Sequence, residues 1–133
     1  MARVVHFEMA ATNPERAIKF YQEVFGWEFQ KWEGDFDYWL IMTGDPKQTG
    51  IDGGLIRREN PWDVSRTVVD VPSLDDAIAK ITGNGGSVVQ GKSEIAGVGY
   101  FAVCKDPEGN VFGLMEWAGD DREPVDDVEP VTA

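Results

Sequence analysis

Two parts of the chain repeat one order of hydrophobic patterns. In the first part, residues 3–10 alternate between apolar and polar side chains, with Phe7 on one face and His6 and Glu8 on the other. Residues 14–25 then place apolar side chains at helical spacing, after Asn13 as a cap and before Gly26 as a stop. Alternating stretches follow and predict three strands, at residues 27–32, 36–42 and 51–57.

The second part begins after a short linker that contains Pro61. Residues 65–71 predict a strand, and Ser73 followed by Asp76 predicts a helix start. Asn84 and two glycines end this helix, and three further strands are predicted at residues 87–90, 98–104 and 110–117. The last two of these strands flank a turn at residues 106–109, where Asp, Pro and Gly each favour a turn position.

Several positions of the two parts match when Asn13 is aligned with Ser73. The same alignment matches Gly26 with Gly86, Gly53 with Gly113, and His6 with Arg66. We therefore predict an α+β fold of two tandem βαβββ modules, residues 3–58 and 64–117. With the helices on the outside, the free faces of two curved mixed sheets would form a cup for a small molecule.

Length and composition limit the number of domains, the kinds of partner and the location of the protein. The length of 133 residues favours one domain, predicted at residues 1–118, and the acidic, proline-containing stretch 119–133 is expected to be a flexible tail. A net charge of −12 disfavours nucleic acid and anionic membranes as partners, and it is also typical of proteins from a high-salt cytoplasm. Since no stretch has the pattern of a signal peptide or a transmembrane span, a cytoplasmic location is expected.

Several short motifs occur in an order that is typical of one superfamily. They are His-Phe-Glu in the first strand, Asn-Pro-x-x-Ala-x-x-Phe-Tyr in the first helix, Phe-Gly-Trp after it, and Asp-Pro-Glu-Gly-Asn near the end. With the paired modules, this order resembles the vicinal oxygen chelate superfamily, which includes glyoxalases, bleomycin resistance proteins and extradiol dioxygenases. The resemblance covers residues 4–117.

The resemblance also implies where a metal ion would bind. In metal-dependent members, side chains from the first and last strands of each module hold a divalent ion, and the matching positions here are His6, Gly53, Arg66 and Gly113. Glycine has no donor atom and a guanidinium repels a cation, so only His6 could be a ligand, with Glu8 beside it. No cofactor is therefore expected, unless the protein uses zinc, nickel, iron or manganese as its metal-dependent relatives do.

Seven residues are the candidates for ligand binding. Arg66 either pairs with Glu8 or binds a carboxylate or phosphate of a ligand, and the two glycines either curve the strands or leave space for a ligand. Tyr38 and Tyr100 could orient a ligand through their hydroxyl groups. The set is His6, Glu8, Tyr38, Gly53, Arg66, Tyr100 and Gly113.

Two main functions follow from the resemblance. The first is a protein that binds a small molecule in its cup without a complete metal site, as the sequestering members do. The alternative is a metal-dependent enzyme, either a lyase or isomerase similar to lactoylglutathione lyase or a dioxygenase. A regulatory protein without a ligand is a third possibility, and the resemblance implies a homodimer in each case.

Overall fold

The computed structural model describes residues 2–118. In this range the order strand, helix, three strands occurs twice, which confirms the α+β class and the two βαβββ modules. The first module consists of β1 (Arg3–Ala11), α1 (Pro14–Phe25), β2 (Glu28–Lys31), β3 (Tyr38–Met42) and β4 (Gly53–Arg57). The second consists of β5 (Arg66–Asp70), α2 (Leu74–Gly83), β6 (Ser87–Ile95), β7 (Gly99–Lys105) and β8 (Val111–Trp117). Neither α1 nor α2, the helices of the described range, is long and apolar enough to cross a membrane.

The chain divides into two compact units. The first unit is Val4–Val68, and the second runs from Val69 to the end of the described residues and includes residues 2 and 3. The boundary between the units lies inside β5. Arg66, near the start of β5, is bonded to Glu8 and Trp62 of the first unit. The predicted tail, residues 119–133, lies outside the described residues.

The first unit has a mixed sheet with the strand order β2-β3-β4-β1. β1 and β4 are parallel, whereas the β2–β3 and β3–β4 pairs are antiparallel. Helix α1 packs on one face of this sheet through Ala17 and Ile18. The core on that face is formed by Ala11, Trp39, Ile41 and Leu55.

The ends of α1 follow the sequence prediction. Asn13 Oδ1 accepts a hydrogen bond from the backbone N–H of Arg16 at 3.1 Å, which satisfies one free donor of the first turn. Gly26 has a φ of 75°, a left-handed conformation in which its N–H donates to the Gln22 carbonyl at 3.0 Å. The helix therefore begins and ends where the local sequence requires it.

In the second unit, β6, β7 and β8 form consecutive antiparallel pairs, and the end of β5 lies next to β8. Helix α2 packs on a core that includes Leu74, Ala102, Cys104 and Leu114. β6 runs five residues beyond the predicted end at Gln90, because two register shifts let it continue along β7 as a bulged strand. The predicted turn is present, with Asp106 Oδ1 accepting from the N–H groups of Glu108 and Asn110 at 2.9 Å each.

Candidate functional site

The candidate site lies in the first unit, on the sheet face opposite α1. Phe7 and Met9 of β1 pack toward the α1 core, so strand alternation puts His6 and Glu8 on the opposite face. The registers of β3 and β4 add Tyr38 and Gly54 to the same face, together with the apolar side chains of Leu40 and Ile56. His6, Glu8 and Tyr38 therefore lie on one face of the sheet, within one unit.

Glu8 and Arg66 form a buried ion pair on this face. Glu8 Oε1 accepts from Arg66 Nε at 2.9 Å and lies 2.8 Å from Arg66 Nη2. The side chains of Arg66 and Glu8 are 3% and 7% exposed, so solvent screens the pair only weakly. Of the two interpretations left open by the sequence, the ion pair with Glu8 is the one that the structure contains.

Two residues that the sequence analysis did not single out complete the surroundings of Arg66. Arg66 Nη1 donates to the carbonyl of Trp62 at 2.8 Å and lies 3.6 Å from Asp63 Oδ1. The second oxygen of Asp63 accepts from the backbone N–H groups of Glu59 and Asn60 at 2.9 and 2.8 Å. Pro61 signals a turn here, but only the folded chain shows that this turn supplies a second carboxylate to the guanidinium.

The charges in this cluster affect the carboxyl of Glu8. Burial raises the pKa of Glu8 above its ordinary value of 4.5, Arg66 opposes this shift, and Asp63 adds to it. The cluster contains two carboxylates and one guanidinium. Arg66 is therefore the group that stabilises the ionised form of Glu8 in its buried position.

The second pair on this face is His6 with Tyr38. His6 Nε2 and Tyr38 Oη lie 3.1 Å apart, and the hydroxyl donates when Nε2 is unprotonated. Burial raises the pKa of Tyr38, with a further rise from the charge of Glu8, so the phenol keeps its proton at neutral pH. Among the described residues, none hydrogen-bonds the other ring nitrogen, Nδ1 of His6.

We expect His6 to be neutral at physiological pH. Burial lowers its pKa below 6.5, and the charge of Asp52 opposes this shift. Because the folded pKa is depressed, the stability that His6 contributes is complete above pH 6.5 and is lost as the pH falls through the folded pKa. His6 is the only histidine of the chain, so its ring protons can be titrated by NMR without assignment.

This titration should give a midpoint below 6.5, and Asp52→Asn should lower the midpoint further because the opposing charge is removed. A midpoint above 6.5 in the wild type would show that His6 is solvated or paired with an acid, and would contradict the buried His6–Tyr38 pair.

The structure corrects the prediction for Gly53. Gly53 is paired with Phe7, and a Cβ at Gly53 would lie 2.6 Å from the Phe7 ring, on the side of the α1 core. Gly54, paired with Glu8, is the glycine on the candidate face, and a Cβ there would overlap the Tyr38 hydroxyl. The alignment of the two halves is therefore one residue out of register in β4, and Gly54 lets Tyr38 reach across to His6.

The remaining two candidates belong to the second unit and lie on opposite faces of its sheet. Gly113 is paired with Val103, on the face away from α2. Tyr100 alternates with Ala102 and packs against the α2 core, while Lys92 Nζ lies 4.6 Å from its ring centroid. The predicted role of Tyr100 in orienting a ligand on the open face is therefore corrected.

The donors on this face do not fit a divalent metal ion. In residues 2–118, no three His, Cys, Asp or Glu side chains are grouped so that they could hold a metal. Glu8 is bonded to Arg66, and the nearby glycine has no side-chain donor. His6 remains as one imidazole ligand, which is too few for a protein metal site.

Comparison with known proteins identifies the family. Residues 3–114 match the model of the Glyoxalase/Bleomycin resistance protein/Dioxygenase superfamily. A "Glyoxylase-like domain-containing protein" of Didymella fabae is 30% identical over 120 residues, which cover 84% of this chain and 91% of that protein. The "Putative glyoxylase CFP32" of Mycobacterium bovis is 30% identical over 112 residues, or 82% of this chain. The match spans only 42% of the length of that relative.

Solved structures show the same fold. The crystal structure of methylmalonyl-CoA epimerase from Mycobacterium tuberculosis superposes with a TM-score of 0.63 at 16% identity, covering 87% of this chain and 88% of the epimerase chain. At this identity the likeness concerns the fold alone. The family model and the relatives above agree with it, and the chain belongs to the glyoxalase/bleomycin resistance protein/dioxygenase superfamily.

Proposed function

We propose that the chain binds a small organic molecule at the His6–Tyr38 pair without a metal ion. The observation that carries this proposal is that protein groups are bonded to Glu8 and to one ring nitrogen of His6, which leaves a single imidazole nitrogen for a metal. Glu8 is bonded to Arg66, and Nε2 of His6 is bonded to Tyr38. Nδ1 of His6, the Tyr38 hydroxyl and the neighbouring apolar side chains are then what a ligand would meet.

The ligand that this face favours is uncharged or zwitterionic and has an apolar body. Arg66 already has a carboxylate on each side, so an anionic ligand would have to displace Glu8 from it. A neutral imidazole and a protonated phenol instead offer single hydrogen bonds to a neutral polar group. Leu40 and Ile56 supply apolar surface beside these polar groups.

Four probes that share a phenyl ring test the charge preference: benzamide, phenylalanine, benzoate and benzylamine. With EDTA present, we expect benzamide or phenylalanine to shift the NMR signal of the His6 ring, and benzoate and benzylamine to shift it less. Tyr38→Phe should weaken the response, since it removes one hydrogen-bond group while keeping the ring. A response that appears only after a divalent metal is added would overturn the proposal.

The metal-dependent lyase, isomerase or dioxygenase is the alternative, and the names of the relatives favour it. Metal analysis of the purified protein, after loading with zinc, nickel, manganese or iron and desalting, separates the two. We expect well below one ion per chain, because the face offers one imidazole at most. One ion per chain that His6→Ala loses would establish the alternative. The homodimer, the shared cup and the cytoplasmic location stay predictions.

A further inference from the structure

An open surface cavity of about 410 Å³ lies at the start of α1, within the first unit. It is lined by alanines at the end of β1, by an apolar wall on α1, and by four polar side chains. The apolar wall consists of Ala17 and Phe20, and the polar side chains are Thr12, Asn13, Arg16 and Arg58. None of the lining residues is acidic, although the chain has 24 acidic and 12 basic residues.

The backbone and the guanidinium of Arg58 are both held in place. Its backbone N–H donates to the Ala11 carbonyl at 2.9 Å, its Nη1 donates to Thr12 Oγ1 at 3.2 Å, and its Nη2 donates to the Ala10 carbonyl at 2.9 Å. A guanidinium has five N–H groups, so these side-chain contacts leave donors available. Arg58 is thus a positioned cation with unused hydrogen-bonding capacity.

The cations of this cavity differ from other arginines of the same unit. Arg57 is paired with Asp37 at 3.0 Å, and Arg66 is paired with Glu8 at 2.8 Å. Arg16 and Arg58 form no ion pair with any carboxylate of residues 2–118. The acids next to them in sequence, Glu15 and Glu59, do not line the cavity.

We propose that this cavity binds a small organic anion, a carboxylate or a phosphate monoester, that carries an apolar arm. The anionic group lies between the guanidinium groups of Arg16 and Arg58, and the arm lies on Ala17 and Phe20. Phe20 is 55% exposed in the structure, so the arm gains contact area by covering it. This site is separate from the His6–Tyr38 pair and does not depend on the function proposed for that pair.

The anionic group is bound by the two guanidinium groups and not by the end of the helix. The backbone N–H of Arg16 is already bonded to Asn13 Oδ1 at 3.1 Å. Planar guanidinium groups bind carboxylate and phosphate oxygens by paired hydrogen bonds, and a phenyl ring is an apolar arm of suitable size for the Phe20 wall. Phenyl phosphate and benzoate are therefore suitable probes, and phenol is their uncharged counterpart.

The test is an NMR titration of the full chain, followed at the arginine Nε–H signals and at the amides of Thr12 and Asn13. We expect phenyl phosphate or benzoate to shift these signals and phenol to leave them unchanged, and added salt should weaken the binding. The tighter of the two anions shows whether the site favours a phosphate or a carboxylate. Phe20→Ala should weaken phenyl phosphate but not inorganic phosphate.

Matched variants distinguish a built site from general attraction to positive charge. Arg16→Gln and Arg58→Gln should each weaken the binding of the anion roughly threefold to tenfold. Arg57→Gln removes the same charge from the neighbouring position and should leave the binding unchanged, because Arg57 is paired with Asp37. Equal losses in all three variants, binding of phenol as tight as that of the anions, or no saturation at millimolar concentration would overturn the proposal.

Discussion

Replacing Arg66 with alanine should lower the free energy of unfolding by about 3–5 kcal/mol, measured by urea denaturation at pH 7. The change leaves the buried carboxylate of Glu8 facing the buried carboxylate of Asp63 without a cation between them. Glu8→Gln should cost less, roughly 1–3 kcal/mol, because Arg66 keeps Asp63 and the Trp62 carbonyl as partners. Arg66→Ala is expected to cost more than Glu8→Gln because the one guanidinium of Arg66 pairs with two carboxylates, those of Glu8 and Asp63.

The double variant tests whether the two residues act as one unit. Arg66→Ala combined with Glu8→Gln should lower stability by less than the sum of the two single changes. In the double variant, the buried charge of Glu8 that Arg66→Ala leaves unpaired is no longer present. The exposed pair of Arg57 and Asp37 provides a matched control, since its side chains are 39% and 44% exposed. Arg57→Ala should change stability much less than Arg66→Ala, because solvent screens this pair. Additive losses at Arg66 and Glu8 would contradict the buried pair.

The loss in Arg66→Ala should also depend on pH. Without the guanidinium, burial and Asp63 both raise the folded pKa of Glu8 above its ordinary value of 4.5. A carboxyl with a raised folded pKa stabilises the protein most below the unfolded pKa, and this contribution is lost as the pH rises through the folded pKa. The deficit of the variant relative to the wild type should therefore be smaller at pH 5 than at pH 7.

Replacing Gly54 with alanine should separate Tyr38 from His6 and lower the free energy of unfolding by about 1–3 kcal/mol. A Cβ at Gly54 would overlap the Tyr38 hydroxyl, so the phenol has to move away from Nε2 of His6. The NMR titration of His6 should then differ from that of the wild type, and the response to benzamide or phenylalanine should weaken. Gly54→Ala is therefore expected to reduce both the stability of the protein and the binding of the probes.

Gly53 provides a matched control at the next position. Alanine at Gly53 would also meet an aromatic ring, but this ring is Phe7 on the α1 side of the sheet. Gly53→Ala should therefore reduce stability while changing the His6 titration less than Gly54→Ala does. If both variants change the His6 titration equally, the assignment of the two glycines to opposite faces is wrong.

The order of the elements and the ends of α1 could be predicted because their causes are local. Asn13 and Gly26 act on backbone groups within one turn of the helix, and strand alternation assigns His6 and Glu8 to one face without knowledge of any partner. The family could be predicted for a similar reason, since its motifs lie in these same local elements. A pattern that depends only on neighbouring residues can be interpreted without the tertiary structure.

The contacts of Arg66 and the faces of the two glycines were decided only by the tertiary structure. The sequence was compatible with either an ion pair or a ligand contact for Arg66. The ion pair joins two residues that are 58 positions apart in the chain. The repeat of the two modules indicated Gly53 where the structure places Gly54, because a shift of one residue in strand register moves a residue to the opposite face of the sheet. Composition and periodicity do not define such a register, since it is set by pairing with strands from elsewhere in the chain.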